Sequence, residues 1–84
     1  MKFMIDSIVS TISFNTKNEE LTSIYFKSLI LESRSSANNR VTVDLQKENN
    51  EIMVKFIAKD FTALRAAMNS YLRWFKLITE IVNF

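Results

Sequence analysis

The side chains of this chain that could do chemistry are carboxylates, amines, guanidiniums and hydroxyls. Eleven Lys and Arg stand against nine Asp and Glu, and there is no His and no Cys. Without imidazole the chain lacks a side chain that titrates near neutral pH, and without a thiol it lacks a sulfur nucleophile. The same absences exclude a His/Cys metal site and any disulfide. No carboxylate pair falls where a concave scaffold would make it an acid and a base. Gly and Pro are also zero, which removes phosphate-cradling Gly loops, the GxxG loop of a KH domain and a dinucleotide fingerprint. These absences argue against an enzyme acting alone, and no cofactor is expected. The chemistry left is electrostatic. Arg65, Arg73 and Lys76 share one side of the last helical segment, where they either meet phosphate or are simply solvated. A net charge of +2 is weak support for nucleic acid.

Five elements must position these residues. Met4 to Phe14 reads as a strand with imperfect alternation. Ile8, Ile12 and Phe14 share one parity while Phe3, Ile5 and Val9 share the other, which predicts a bulge or partial cover on both faces. Thr16 with Glu19 three residues on forms a capping box for a first helix reaching about Ser33. Val41, Val43 and Leu45 alternate with Thr42, Asp44 and Gln46 as a half-buried strand. Asn49-Asn50 can make a tight hairpin with positive φ. Ile52, Val54, Phe56 and Ala58 continue the alternation, and Asp60 caps a second helix that runs to the C-terminus. The expected fold is α+β, β-α-β-β-α: an antiparallel three-stranded sheet in the order 2-3-1 with both helices on one face. The first and second strands are edges, and edges are pairing sites.

The last helix is apolar around more than one face. At about 100° per residue, Leu64, Met68, Tyr71, Phe75, Ile78 and Val82 make a core stripe. Beside it lie Ala63, Ser70, Trp74, Leu77 and Ile81, with Ala66 and Phe84 at the margin. Together the stripes span roughly two-thirds of the circumference, well beyond the arc an ordinary surface helix buries. The second stripe is small in its first half and large in its second. The polar face holds Thr62, Arg65, Asn69, Arg73, Lys76 and Glu80. From Phe61 to the C-terminus the helix rises about 36 Å, longer than the roughly 27 Å of an eight-residue strand, so its last turns should overhang the sheet. On the first helix, Leu21, Ile24, Tyr25, Ser28 and Leu31 read as the core stripe, while Phe26, Leu29 and Ile30 point elsewhere. Packing of the helices on each other absorbs part of this excess. Phe26, Ile30, Ser70, Trp74, Leu77 and Ile81 are the candidate partner-binding residues, with Trp74 the candidate anchor.

With 84 residues there is room for one domain, and a domain this small needs staples or oligomerisation. Disulfides and His/Cys metals being excluded, a partner is what remains. No signal peptide is visible, and no apolar run approaches the roughly 18–20 residues of a membrane span. A cytoplasmic protein with no membrane association is expected.

Ile57-Ala58-Lys59-Asp60, then Ala63-Leu64-Arg65-Ala66 and Asn69-Ser70-Tyr71-Leu72-Arg73-Trp74, resemble the signature of the Pcc-one subunit family of the KEOPS complex, whose eukaryotic relatives include the CTAG/LAGE proteins. That family shows an apolar strand, A-x-D, then a helix with L-R-A and N-S-x-L. Ser28-Leu29 with Glu32 resembles its S-L-x-P-E, although Leu31 stands where Pro is frequent. The resemblance covers most of the chain. It implies the β-α-β-β-α fold, a homodimer, and a non-catalytic scaffolding role in threonylcarbamoylation of the tRNA adenosine beside the anticodon. It also implies helix packing on the catalytic Kae-type subunit, which carries the metal and nucleotide, with the second stripe of the last helix as the expected contact. Arg65, Arg73 and Lys76 become candidate tRNA contacts through the complex. Two alternatives stand: a Pcc paralogue that caps one face within the same complex, and a stand-alone RNA-binding α+β module, against which the missing GxxG and the lack of paired aromatics on the strands argue.

Overall fold

A computed structural model describes residues 6–35 and 40–82. The elements are β1 (Ile8–Asn15), α1 (Glu19–Ser35), β2 (Val41–Glu48), β3 (Glu51–Ala58) and α2 (Phe61–Val82). The sheet runs β1-β3-β2, antiparallel throughout, so the expected order holds and β3 is central. Asn49 takes φ 54° in the two-residue β2–β3 turn, a backbone state Asn tolerates better than other non-Gly residues.

One face of the sheet carries the core. On β3 the inward residues Ile52, Val54, Phe56 and Ala58 are all buried, while Lys55 between them is exposed. Both helices lie on that face: Tyr25 and Leu29 of α1 and Tyr71, Phe75 and Ile78 of α2 join the β3 residues in one cluster. The core stripe expected on α2 is the one observed, with Leu64, Met68 and Val82 packed against it.

Three local readings are corrected. First, β1 is regular. Its register with β3 runs unbroken from Ile8↔Ala58 to Asn15↔Glu51, with no bulge. Its residues alternate half-buried and exposed, and Val9 is exposed on the open face. The strand starts at Ile8, after Asp6 and Ser7; Phe3, Met4 and Ile5 lie outside the described residues. Second, α1 is capped by Asn18 and not by a Thr16/Glu19 box: the Leu21 amide donates to Asn18 Oδ1 at 2.9 Å. Thr16 is held instead by the hairpin, its amide donating to the Asn50 carbonyl at 2.8 Å. Third, the core stripe of α1 is rotated. Thr22, Tyr25 and Leu29 are buried and Phe26 packs against them, whereas Ile24 and Leu31 are exposed. The polar Thr22 disguised this stripe. It is fully buried because its hydroxyl donates to the Asn18 carbonyl at 2.9 Å, as a buried polar group must.

Candidate functional site: the flanks of the last helix and the strand edges

The start of α2 is fixed at three points. Ala63 N donates to Asp60 Oδ1 at 2.8 Å. Arg40 pairs with the Asp60 carboxylate, and the Lys59 amide donates to the Arg40 carbonyl at 3.0 Å. The Ala63 amide first, and then the Arg40 guanidinium, hold the Asp60 carboxyl below its ordinary 3.8, because both favour the charged form. The helix therefore leaves the sheet in a set direction from the Ala58 end.

Aromatic contacts set its course. Tyr71 meets Phe56 edge-on at 5.5 Å, and Phe75 stacks on Phe14 at 3.5 Å. Phe14 pairs with Ile52, the second residue of β3, so Phe75 marks the far end of the sheet. Residues 76–82 add about 10 Å of helix past Phe75, with Ile78 buried and Val82 packed against the core cluster.

α1 is antiparallel to α2, since it starts at the hairpin end where α2 finishes. Tyr25 stacks on Phe75 at 5.5 Å, and its hydroxyl pairs with that of Thr79. On its other side α1 leans on β2: Lys47 Nζ is 5.9 Å from the Phe26 ring and donates to the Ser23 hydroxyl at 3.4 Å. Thus α1 covers the β2 side of the sheet, and α2 lies over β3 and reaches β1 through Phe75 on Phe14.

This places the candidate residues on two sides of the molecule. Trp74, Leu77 and Ile81 stand about 140–200° round the helix from Thr79, so they face away from α1 and overlook β1. They are 38%, 42% and 69% exposed. Ser70 and Ala63 are half-buried on the same flank, and Ala66 is exposed; Phe84 lies outside the described residues. Phe26 and Ile30 are not neighbours of this stripe in one chain. They belong to the β2 side of α1, where Phe26 is half-buried under Lys47. Arg65, Arg73 and Lys76 are all exposed, within an arc of about 80° on the outer face of α2.

A second apolar flank of α2 escaped the sequence reading. Phe61 and Leu72 are 66% and 44% exposed. With Leu64, Arg65, Met68 and Asn69 they line a shallow, open hollow of about 280 Å³. It lies on the side of Thr79, towards α1. The available signal was the spacing of Phe61 and Leu72, eleven residues apart, which superposes them within about 20° on the wheel.

The two strand edges differ. β1 carries no charged residue from Ile8 to Asn15, while β2 carries Asp44, Lys47 and Glu48. Lys47 has the inward parity of Val41, Val43 and Leu45. Charges on an edge, inward ones above all, block further strand pairing, so β1 is the open edge. Among the described residues there is no group of His, Cys, Asp or Glu able to hold a metal. No described helix is long and apolar enough to cross a membrane.

The described residues form an α+β fold with one uncharged sheet edge and two exposed apolar flanks on its last helix. Comparison with known proteins narrows the class. The profile of the family described as "Transcription factor Pcc1" matches residues 9–83, and the chain belongs to this Pcc1 family. It is 30% identical over 66 residues to the KEOPS complex subunit Pcc1 of Pyrococcus abyssi (strain GE5 / Orsay), covering 79% of this chain and 80% of that one. In fold it is similar to a chain of a solved structure described as "Crystal structure of binary complex Gon7-Pcc1", with TM-score 0.78, 21% identity and coverage of 90% of this chain and 93% of that one.

Proposed function

We propose that this chain is a small, non-catalytic subunit of a KEOPS complex, a cytoplasmic dimerising scaffold that supports threonylcarbamoyl modification of tRNA. The observation that carries the reading is the uncovered Trp74–Leu77–Ile81 flank beside the uncharged β1 edge, in a chain of this family. A second copy adding its own β1 antiparallel would continue the sheet to six strands. The two β3 strands would then lie three strand spacings apart, about 14 Å. That is close to the 10–12 Å diameter of a helix with its side chains. Two copies of α2 therefore fit side by side over the joined sheet, with Trp74, Leu77 and Ile81 between them. The aromatic anchor, the apolar surround and the edge then belong to one interface. This assigns the stripe to the second copy, where the sequence had suggested the catalytic subunit.

The hollow of Phe61, Met68 and Leu72 remains open in such a dimer and is the surface offered to helices of the Kae-type catalytic subunit. Phe26 and Ile30 flank α1 on the side away from the dimer, and Arg65, Arg73 and Lys76 stay exposed for tRNA. The test is co-expression with the catalytic subunit, followed by mass measurement of the chain alone and of the complex. A dimer alone, which co-purifies with the catalytic subunit and raises its threonylcarbamoyladenosine output, is expected. A stable monomer that still joins the complex would favour a capping paralogue. A chain that fails to bind the catalytic subunit but binds tRNA alone, with strong salt dependence, would favour the stand-alone RNA-binding module.

A further inference from the structure

The last turns of α2 carry Leu77 and Ile81 on the outer flank, while on the inner side Ile78 is buried and Val82 packs against the core. On the side of α1 a hydroxyl contact adds to this hold. The direction of the hydrogen bonds there is determined. Thr79 Oγ1 donates its single proton to the Phe75 carbonyl at 2.8 Å. It therefore receives from Tyr25, whose hydroxyl is the donor in their contact. The relay runs Tyr25 O–H to Thr79 O–H to Phe75 C=O, and it crosses from α1 to α2. Tyr25 is itself fixed: it is 8% exposed and stacks on Phe75. Its phenol is thus a rigid arm from the core to the last turns of α2.

We infer that Tyr25 and Thr79 are positioning residues for assembly, a hydroxyl clamp that helps set the angle of the last α2 turns so that Leu77 and Ile81 meet the second copy. Neither hydroxyl touches the partner. Thr79 points towards α1, about 200° from Leu77. The clamp acts by keeping the last turns in the pose that binding requires, so its loss lowers the competent fraction and weakens the apparent affinity by that fraction. A net neutral hydrogen bond corresponds to a factor of about five. Two clamps operate in each dimer, so the dimer dissociation constant should rise by up to about 25-fold. The inference rests on the dimer proposed above.

The experiment uses Thr79→Val, Thr79→Ser and Tyr25→Phe in the full chain. Thr79 is exposed, so water can take the Tyr25 proton in Thr79→Val without a buried orphan. Sedimentation equilibrium should show weaker dimers for Thr79→Val and Tyr25→Phe, with Thr79→Ser restored to the wild-type value. Hydrogen exchange at 78–82 should speed up by up to about fivefold in the two weakened variants, with β3 protection unchanged. Wild-type dimerisation by Thr79→Val, or failure of Thr79→Ser to restore it, would overturn the clamp. A wild-type chain that is monomeric would instead defeat the dimer reading, and the exchange rates would still decide whether the clamp holds the helix end: unchanged exchange in Thr79→Val overturns it.

Discussion

Replacing Leu77 and Ile81 by lysine should leave the chain folded and make it monomeric. Lysine is chosen because it is a good helix former and because a cation suits the C-terminal end of a helix. The effect on the fold itself should stay within about 1 kcal/mol. The effect on assembly is larger and follows from exposure. Covering a Leu or Ile side chain completely is worth about 1.5–3 kcal/mol. Leu77 and Ile81 have 42% and 69% of their surface left to cover, which scales to about 2–3 kcal/mol per chain. Both copies contribute, so about 4–6 kcal/mol disappears per dimer, a weakening of roughly 10³- to 10⁴-fold. Phe56→Ala is the opposite control. Phe56 is fully buried on the central strand under Tyr71, and its truncation should cost about 3–5 kcal/mol of folding stability. A domain of this length commands only roughly 4–12 kcal/mol in all. Urea melts and sedimentation equilibrium on the two variants separate the effects. If the double lysine variant remains a dimer, or if it melts as poorly as Phe56→Ala, the stripe belongs to the core and the dimer has been placed on the wrong surface.

Three further outcomes follow from the same geometry. Asp60→Asn should keep the cap, because Asn is as good an N-cap as Asp, but should lose the acid dependence. The folded carboxyl lies below 3.8, so its stabilisation is present above the unfolded pKa and is lost as pH falls through the lower folded value; acid titrations of both proteins should diverge only below about pH 4. Charge reversal at Arg65, Arg73 and Lys76 should change folding by under about 0.5 kcal/mol each, and should weaken tRNA binding by the whole complex while flattening its salt dependence. Unchanged tRNA affinity would reduce the three to a solvated face. Thr11→Lys sets like charges near each other at the middle of a β1–β1 pair and should give monomers by light scattering, whereas Gln46→Lys on the already charged β2 should leave the dimer intact.

What was legible in the sequence depended on whether one periodicity dominated. β3 and α2 were read correctly because Ile52, Val54, Phe56 and Ala58 keep one parity along the whole strand, despite the apolar Met53 and Ile57 between them, and because Asp60 is followed by an unbroken helical stripe. β1 misled because Val9 is an apolar residue on an outward position; the pairing with β3, which no local pattern encodes, decides its face. α1 misled for the converse reason, since Thr22 is a polar residue on an inward position. Its burial depends on the Asn18 carbonyl, a contact that exists only once Asn18, and not Thr16, caps the helix. The candidate stripe on α2 was legible as a surplus of apolar residues. Its direction was not, because a wheel gives angles within one helix and carries no information on where the neighbouring helix stands.

That direction matters more than the surplus itself. A helix on a sheet needs only one apolar arc, and on α2 the arc of Tyr71, Phe75 and Ile78 supplies it. The remaining circumference is then available for separate contacts. Fixing Thr79 against Tyr25 turns one flank, with Phe61 and Leu72, towards α1 and leaves the other, with Trp74, Leu77 and Ile81, over the open edge of the sheet. The basic residues keep the outer arc between them. Because the flanks point in different directions, the proposed second copy and the proposed catalytic subunit would occupy α2 together without competing. Substitutions on one flank should then leave the other's affinity nearly unchanged, since sites with no shared partner add independently. Leu72→Lys should therefore weaken binding of the catalytic subunit and leave the dimer mass unaltered. The double lysine variant at Leu77 and Ile81 should yield a monomer that still binds the catalytic subunit one to one. Loss of both activities in either variant would mean that a single continuous surface, and not two, is at work.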